Sequence, residues 1–146
     1  MMLFELLEQR RVFRSDIREN NNENDINIVV SGAGPCGLRA AVECALIGLN
    51  VLVIEKRTQF SRANILTLWD QTLKDLLSFG AKLYFPWIKT HGSLLYLGTR
   101  EIQIVLMKSA LLLGVRFEHE SVIHAVITDG EKRFVSVVDY EKGRNS

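Results

Sequence analysis

With 146 residues, 47% of them hydrophobic and 24% charged, the chain is long enough for one domain with a packed core and is compositionally unlike a disordered segment. A formal net charge of +1 gives no reason to expect nucleic acid or an anionic membrane as partner. No apolar run approaches the ~18–20 residues of a membrane-spanning helix, and the opening Met1–Leu7 is too short and too soon charged for a secretory leader, so the default expectation is a cytoplasmic protein.

Residues Met1 to Phe13 read as an amphipathic helix with Leu3, Phe4, Leu7 and Val12 toward a core. Residues 14–25 are polar and asparagine-rich, so 1–25 is taken as a helical or flexible lead-in and 26–146 as the folded domain. Ile26 to Val30 is a short β-branched run that suits a buried strand. Gly32, Gly34 and Gly37 then fall at G-x-G-x-x-G spacing. A helix follows, with Leu38, Ala41, Val42, Ala45 and Leu46 on one face, ending near Gly48. Val51 to Ile54 is a second buried strand, closed by Glu55. Strand, glycine turn, helix and strand predict an α/β, Rossmann-like fold in which Ile26–Ser31 and Val51–Glu55 are adjacent parallel strands of a central sheet.

Each residue type in that unit has a task if the ligand is a dinucleotide. Gly32 permits a tight turn, Gly34 lets backbone N–H groups approach a pyrophosphate, and Gly37 lets the helix close on the strand. The phosphates would sit at the positive end of the helix dipole. Glu55 would accept hydrogen bonds from adenosine ribose hydroxyls. Arg39, in the first turns of the helix, is either a pyrophosphate partner or a solvated side chain tolerating the like-signed helix end. Beyond the strand tip stand Lys56, Arg57 and Arg62, on the side where open α/β sheets bind ligands. They read either as phosphate or ribose contacts or as a solvated charged loop.

Asp70 to Phe79 reads as a surface helix stopped by Gly80, with Leu73, Leu76 and Leu77 at helical spacing. Leu68, Trp69, Tyr84, Phe85 and Trp87 read as core, and Pro86 limits any strand there to an edge. Leu94 to Leu97 is strand-like. Thr99 is the expected N-cap of a helix running from Arg100 to Leu113, whose apolar residues cover most of its circumference and predict burial on several sides. Gly114 ends it. Val115 to Phe117 and Ser121 to Ile127 read as strands, and Asp129-Gly130 turns into a partner strand from Arg133 to Val138.

Cys36 and Cys44 share one predicted helix ~12 Å apart, too far for a disulfide, and neither has metal-ligand spacing. His91, His119 and His124 show no common spacing and are read as structural or solvent-facing. No metal site, nucleophile–base pair or carboxylate dyad stands out, so no catalytic side chain is assigned and the chemistry falls to a cofactor.

The segments GAGPCGLRAAVE, VLVIEKRTQFSRANILTLW, FGAKLY and TREIQIVLMKSALLLGV together resemble the flavoprotein monooxygenase domain of the MICAL family, which oxidises actin methionines. The resemblance runs from about Ile28 to Val115. It implies a Rossmann-like FAD-binding fold, FAD as cofactor, NADPH as reductant, molecular oxygen as oxidant and actin as partner. Carried over residue by residue, it places Cys36 with Gly32, Gly34 and Gly37 at the pyrophosphate, and Glu55, Lys56 and Arg57 at the adenosine end. Arg62, Ala63 and Asn64 would run beside the flavin, Arg100 near the phosphate and ribityl chain, and Gln103 in the same neighbourhood. Ala63 stands where actin-oxidising members carry asparagine. The family's catalytic domain is several times longer, so the domain is expected to be incomplete and inactive by itself. Gly143-Arg144-Asn145-Ser146 echoes part of a second flavin motif. Two alternatives are a flavin hydroxylase acting on a small molecule and a non-catalytic paralogue that binds nucleotide or a protein partner.

Overall fold

In the computed structural model of the chain the described residues are 3, 5, 7–8, 27–81, 90–91, 94–130 and 132–139. The polar lead-in over 14–25, the aromatics Tyr84, Phe85 and Trp87 with Pro86, and the Gly143–Ser146 echo lie outside them.

Strand β1 (Asn27–Ser31), helix α1 (Pro35–Leu46) and strand β2 (Asn50–Glu55) form the expected unit. The two strands are adjacent and parallel, in register from Asn27 opposite Asn50 to Ser31 opposite Ile54. Strand β6 (Arg116–His119) lies on the other side of β2, also parallel, which brings His119 opposite Glu55. Val51, Val53 and Ile54 are buried, as befits a central parallel strand covered on its faces. Leu38, Ala41, Val42, Ala45 and Leu46 supply the buried stripe of α1, and the alanines at its centre let the helix lie close to neighbouring backbone.

Helix α2 (Asp70–Ser78) ends on Phe79, which is fully buried, and Gly80 at φ +84 turns the chain away as expected. Helix α3 (Thr99–Leu112) completes the core through Ile102, Leu106 and Ala110. Ser109 is buried in this apolar layer, and its hydroxyl donates to the carbonyls of Val105 (3.2 Å) and Phe79 (3.3 Å). From the amino-terminal segment, whose described residues are helical, Leu7 joins the same cluster.

Four features depart from the sequence reading. Ile65–Leu68 forms a strand, β3, antiparallel to β5 (Leu94–Gly98), with β4 (Thr90–His91) on the far side of β5. Its apolar residues are mostly exposed, so no burial periodicity marks it in the sequence. Trp69, expected in the core, is 72% exposed at the N-cap of α2. Thr99 is not an N-cap: Gly98 holds that position, and the Thr99 N–H and hydroxyl both donate to the Asn64 carbonyl, at 2.8 and 2.9 Å. Helix α3 is buried on one face only, leaving Ile104, Leu111 and Leu112 exposed.

Strands β7 (Ser121–Asp129) and β8 (Lys132–Asp139) pair as the expected antiparallel hairpin, closing at Asp129 opposite Lys132. A register shift between Ile123 and Ala125 bends it. Among the described residues no helix is long and apolar enough to cross a membrane.

Candidate functional site

The turn between β1 and α1 is held by a backbone bond at Gly32 and by two side-chain bonds that meet at Ala33. The Gly32 N–H donates to the Ile54 carbonyl at 2.7 Å, tying the turn to the end of β2. Gly32 takes φ +96, a conformation only glycine adopts cheaply. A Cβ on Gly37 would collide with the Gly32 carbonyl oxygen and crowd Val30 Cγ1 at 3.2 Å, so the absence of a side chain at Gly37 is what lets α1 start here. Gly34 is the N-cap of α1, Pro35 follows in the first turn, and no acidic residue compensates the positive helix end.

Glu55 and Gln103 reach this turn from opposite sides. One Glu55 carboxylate oxygen accepts the Ala33 N–H at 2.8 Å and the other accepts the Arg57 N–H at 3.0 Å. The Gln103 Nε2 donates to the Ala33 carbonyl at 2.7 Å. Gln103 is only 5% exposed, and among the described residues its Oε1 has no hydrogen-bond partner. A buried acceptor without a donor is uncommon and marks a place where a ligand group can complete the bonding.

A cleft of about 430 Å³ opens over these groups at the carboxyl ends of β1 and β2. Gly32, Gly34 and Gly37 form its floor, and Glu55 and Gln103 stand at its side. Lys56, Arg57 and Arg62 contribute three cations against the one carboxylate. Ser121 and Val122 close the far wall, where the chain leaves β6 through Glu120, a non-glycine at φ 56. The charge balance and the amino end of α1, which no acidic residue compensates, favour an anionic ligand of phosphate type. Among the described residues there is no cluster of His, Cys, Asp or Glu that would hold a metal.

Eight of the residues picked from the sequence thus come together: Gly32, Gly34, Gly37, Glu55, Lys56, Arg57, Arg62 and, from the resemblance, Gln103. Cys36, Arg39, Ala63, Asn64 and Arg100 do not line this cleft. Cys36 is an exposed free thiol on the opposite flank of α1, beside a more apolar groove between α1, α2 and α3. The Asn64 carbonyl is committed to Thr99, and Arg100 is exposed on the first turn of α3. Ser121, Val122 and His119 carried no sequence signal. His119 Nδ1 lies 3.2 Å from the Arg57 carbonyl and its ring stacks on Phe117, which braces the basic loop from β6.

Arg39 is directed to α2. Its guanidinium forks onto Asp75 at 2.7 and 3.2 Å, pairs with Glu43 at 2.7 Å, and lies over the Phe79 ring at 4.9 Å. The reason is position: Arg39 sits on the flank of α1 that faces α2, where two carboxylates and an aromatic face await a cation. Arg39→Met is therefore expected to lower stability by about 1 kcal/mol, the scale of a half-exposed ion-pair network. It should leave dinucleotide affinity unchanged. Thermal melts with a ligand titration check this, and a large affinity loss in a normally folded variant would restore the phosphate role.

Residues 27–66 match the family described as FAD binding domain. The F-actin monooxygenase MICAL1 of Bos taurus is 54% identical over 87 residues, a segment that is 60% of this chain and 8% of that protein. The chain thus spans under a tenth of the curated relative it matches. Among solved structures, THI4 of Thermovibrio ammonificans superposes with a TM-score of 0.66 at 13% identity, over 97% of this chain and 57% of that one. CabE, an aromatic hydroxylase from angucycline biosynthesis, superposes with a TM-score of 0.63 at 23% identity, over 78% of this chain and 27% of that one. Parallel strands, glycine turn and cleft define a Rossmann-like FAD-binding fold, and in sequence the chain is similar to the FAD-binding part of the MICAL flavoprotein monooxygenases.

Proposed function

We propose that the cleft binds FAD and that the chain provides the FAD-binding part of an NADPH-dependent monooxygenase. The observation that carries this reading is the convergence of the glycine turn, Glu55 and the cations Lys56, Arg57 and Arg62 on one cleft. The cleft fits the cofactor on two further counts. An ideal Cβ on Gly34 meets nothing within 4 Å, so the floor leaves room for a close-lying phosphate. The unpartnered Gln103 Oε1 suits a hydroxyl donor of the kind a dinucleotide carries.

In this reading the first-turn N–H groups of α1 and the cations hold the pyrophosphate. Glu55 keeps lone pairs beyond those used by Ala33 and Arg57, and with them accepts the ribose hydroxyls. Cys36, Ala63, Asn64 and Arg100 lie outside the cleft wall, and any contact with cofactor there is made beyond the adenosine end. When bound, FAD supplies the redox chemistry, while the chain's residues bind and orient it. Relatives named as F-actin monooxygenases make F-actin the first substrate to try.

The test is a titration of the chain with FAD, followed by flavin fluorescence and by melting temperature. Binding to the native state raises the melting temperature as ligand exceeds Kd. FAD is expected to raise it, and to do so more than FMN, which lacks the adenosine that Glu55 would hold. No shift with FAD at concentrations up to solubility would sink the proposal. The oxygenase step is tested separately, by NADPH consumption and methionine sulfoxide formation with and without filamentous actin.

A further inference from the structure

Ala33 is fully buried, and both of its backbone polar groups are taken by side chains from distant parts of the chain. Its N–H goes to Glu55, 22 positions away, and its C=O to Gln103, 70 positions away. A carbonyl oxygen only accepts, so the Gln103 amide must turn Nε2 toward it, which leaves Oε1 as the atom without a donor. The peptide joining Ala33 to Gly34 is planar and trans, so holding the Ala33 C=O toward Gln103 points the Gly34 N–H the opposite way. Packing alone would be served better by an apolar side chain here, since a buried amide with an empty acceptor is destabilising.

We infer that Gln103 is a positioning residue for the glycine turn: it fixes the Ala33–Gly34 peptide before any ligand arrives. Glu55 fixes the preceding peptide from the other side, and the two side chains together clamp the turn in one conformation. A turn already ordered does not lose that freedom on binding, so the clamp raises affinity without touching phosphate. The benefit to affinity rests on the cleft being an FAD site, whereas the clamp itself does not.

Two variants of the full chain test it, Gln103→Met and Gln103→Glu, each read by amide hydrogen exchange at Ala33 without ligand and by FAD affinity. Gln103→Met keeps the volume but leaves the Ala33 carbonyl unpaired. Exchange at Ala33 should accelerate and the Kd for FAD rise roughly 5- to 100-fold, the equilibrium counterpart of an unsatisfied buried acceptor. Gln103→Glu can donate to the Ala33 carbonyl only when protonated. It should match the wild type in acidic buffer and part from it as pH rises. Glu55, Lys56, Arg57 and Arg62 line the same cleft and are common to both proteins, so the ratio to wild type at each pH isolates position 103.

Exchange and affinity within about twofold of wild type in Gln103→Met would overturn the inference. So would a Gln103→Glu ratio that does not change with pH. If Gln103→Met does not fold, the pH series of Gln103→Glu decides alone. If the wild type takes up no FAD, the FAD reading fails while the exchange arm still decides the clamp.

Discussion

Gly37→Ala is expected to destabilise the fold by about 3 kcal/mol, at the upper end for overpacking, and to remove detectable FAD binding. The added methyl meets the Gly32 carbonyl oxygen, a backbone atom tied in place because the Gly32 N–H is bonded to Ile54 and the neighbouring Ala33 is clamped. Nothing there can rotate aside, so either α1 withdraws from β1 or the turn unwinds. Gly34→Ala is the contrasting variant. Its φ of −70 is open to any residue and its methyl would meet nothing within 4 Å, so stability should stay within about 0.5 kcal/mol of wild type. Its FAD affinity should nevertheless fall, because the methyl occupies the floor on which phosphate lies. Melting curves and FAD titrations on both variants check the pair. Equal behaviour of the two would show that the turn serves packing and not ligand approach.

Glu55→Ala should weaken FAD binding by about 3 kcal/mol, roughly a hundredfold in Kd, with a smaller loss of stability. The two hydrogen bonds it deletes are unequal. That from the Ala33 N–H is half-buried and serves a buried residue, whereas that from the Arg57 N–H is exposed to water, which can replace the carboxylate. The first therefore dominates the stability term. The loss of affinity adds the ribose contacts assigned to the same carboxylate. Glu55→Gln should be intermediate, because its amide offers an acceptor to only one of the two N–H groups and meets the other with a donor. Affinities in the order wild type, Gln, Ala are expected from calorimetry or fluorescence quenching. An affinity unchanged in Glu55→Ala would remove the carboxylate from the ligand site.

Both experiments act on residues that the chain order alone picks out. Within Asn27–Glu55 the information is local: a β-branched run, three glycines at a fixed spacing, an apolar helical stripe and a second β-branched run ending in an acid. Each depends on backbone propensity and side-chain period, which neighbouring residues determine, and the parallel pairing of β1 and β2 followed from them. The helix boundaries near Gly80 and Gly114 were legible for the same reason, as both sit at positive φ.

What tertiary structure alone decided is where long side chains find partners. Arg39, near a helix amino terminus, could be read as a pyrophosphate partner or as a solvated side chain, and Asp75 and Phe79 stand within its reach once α2 docks on α1. Gln103 was marked only by resemblance, since its partner Ala33 lies 70 positions away and no local pattern encodes that contact. Ser121 and Val122 reach the cleft because β6 pairs with β2 and sets His119 opposite Glu55. The exposed flank of α3 and the exposed Trp69 have the same origin. Apolar composition states what can be buried, and only the finite number of neighbouring elements decides what is.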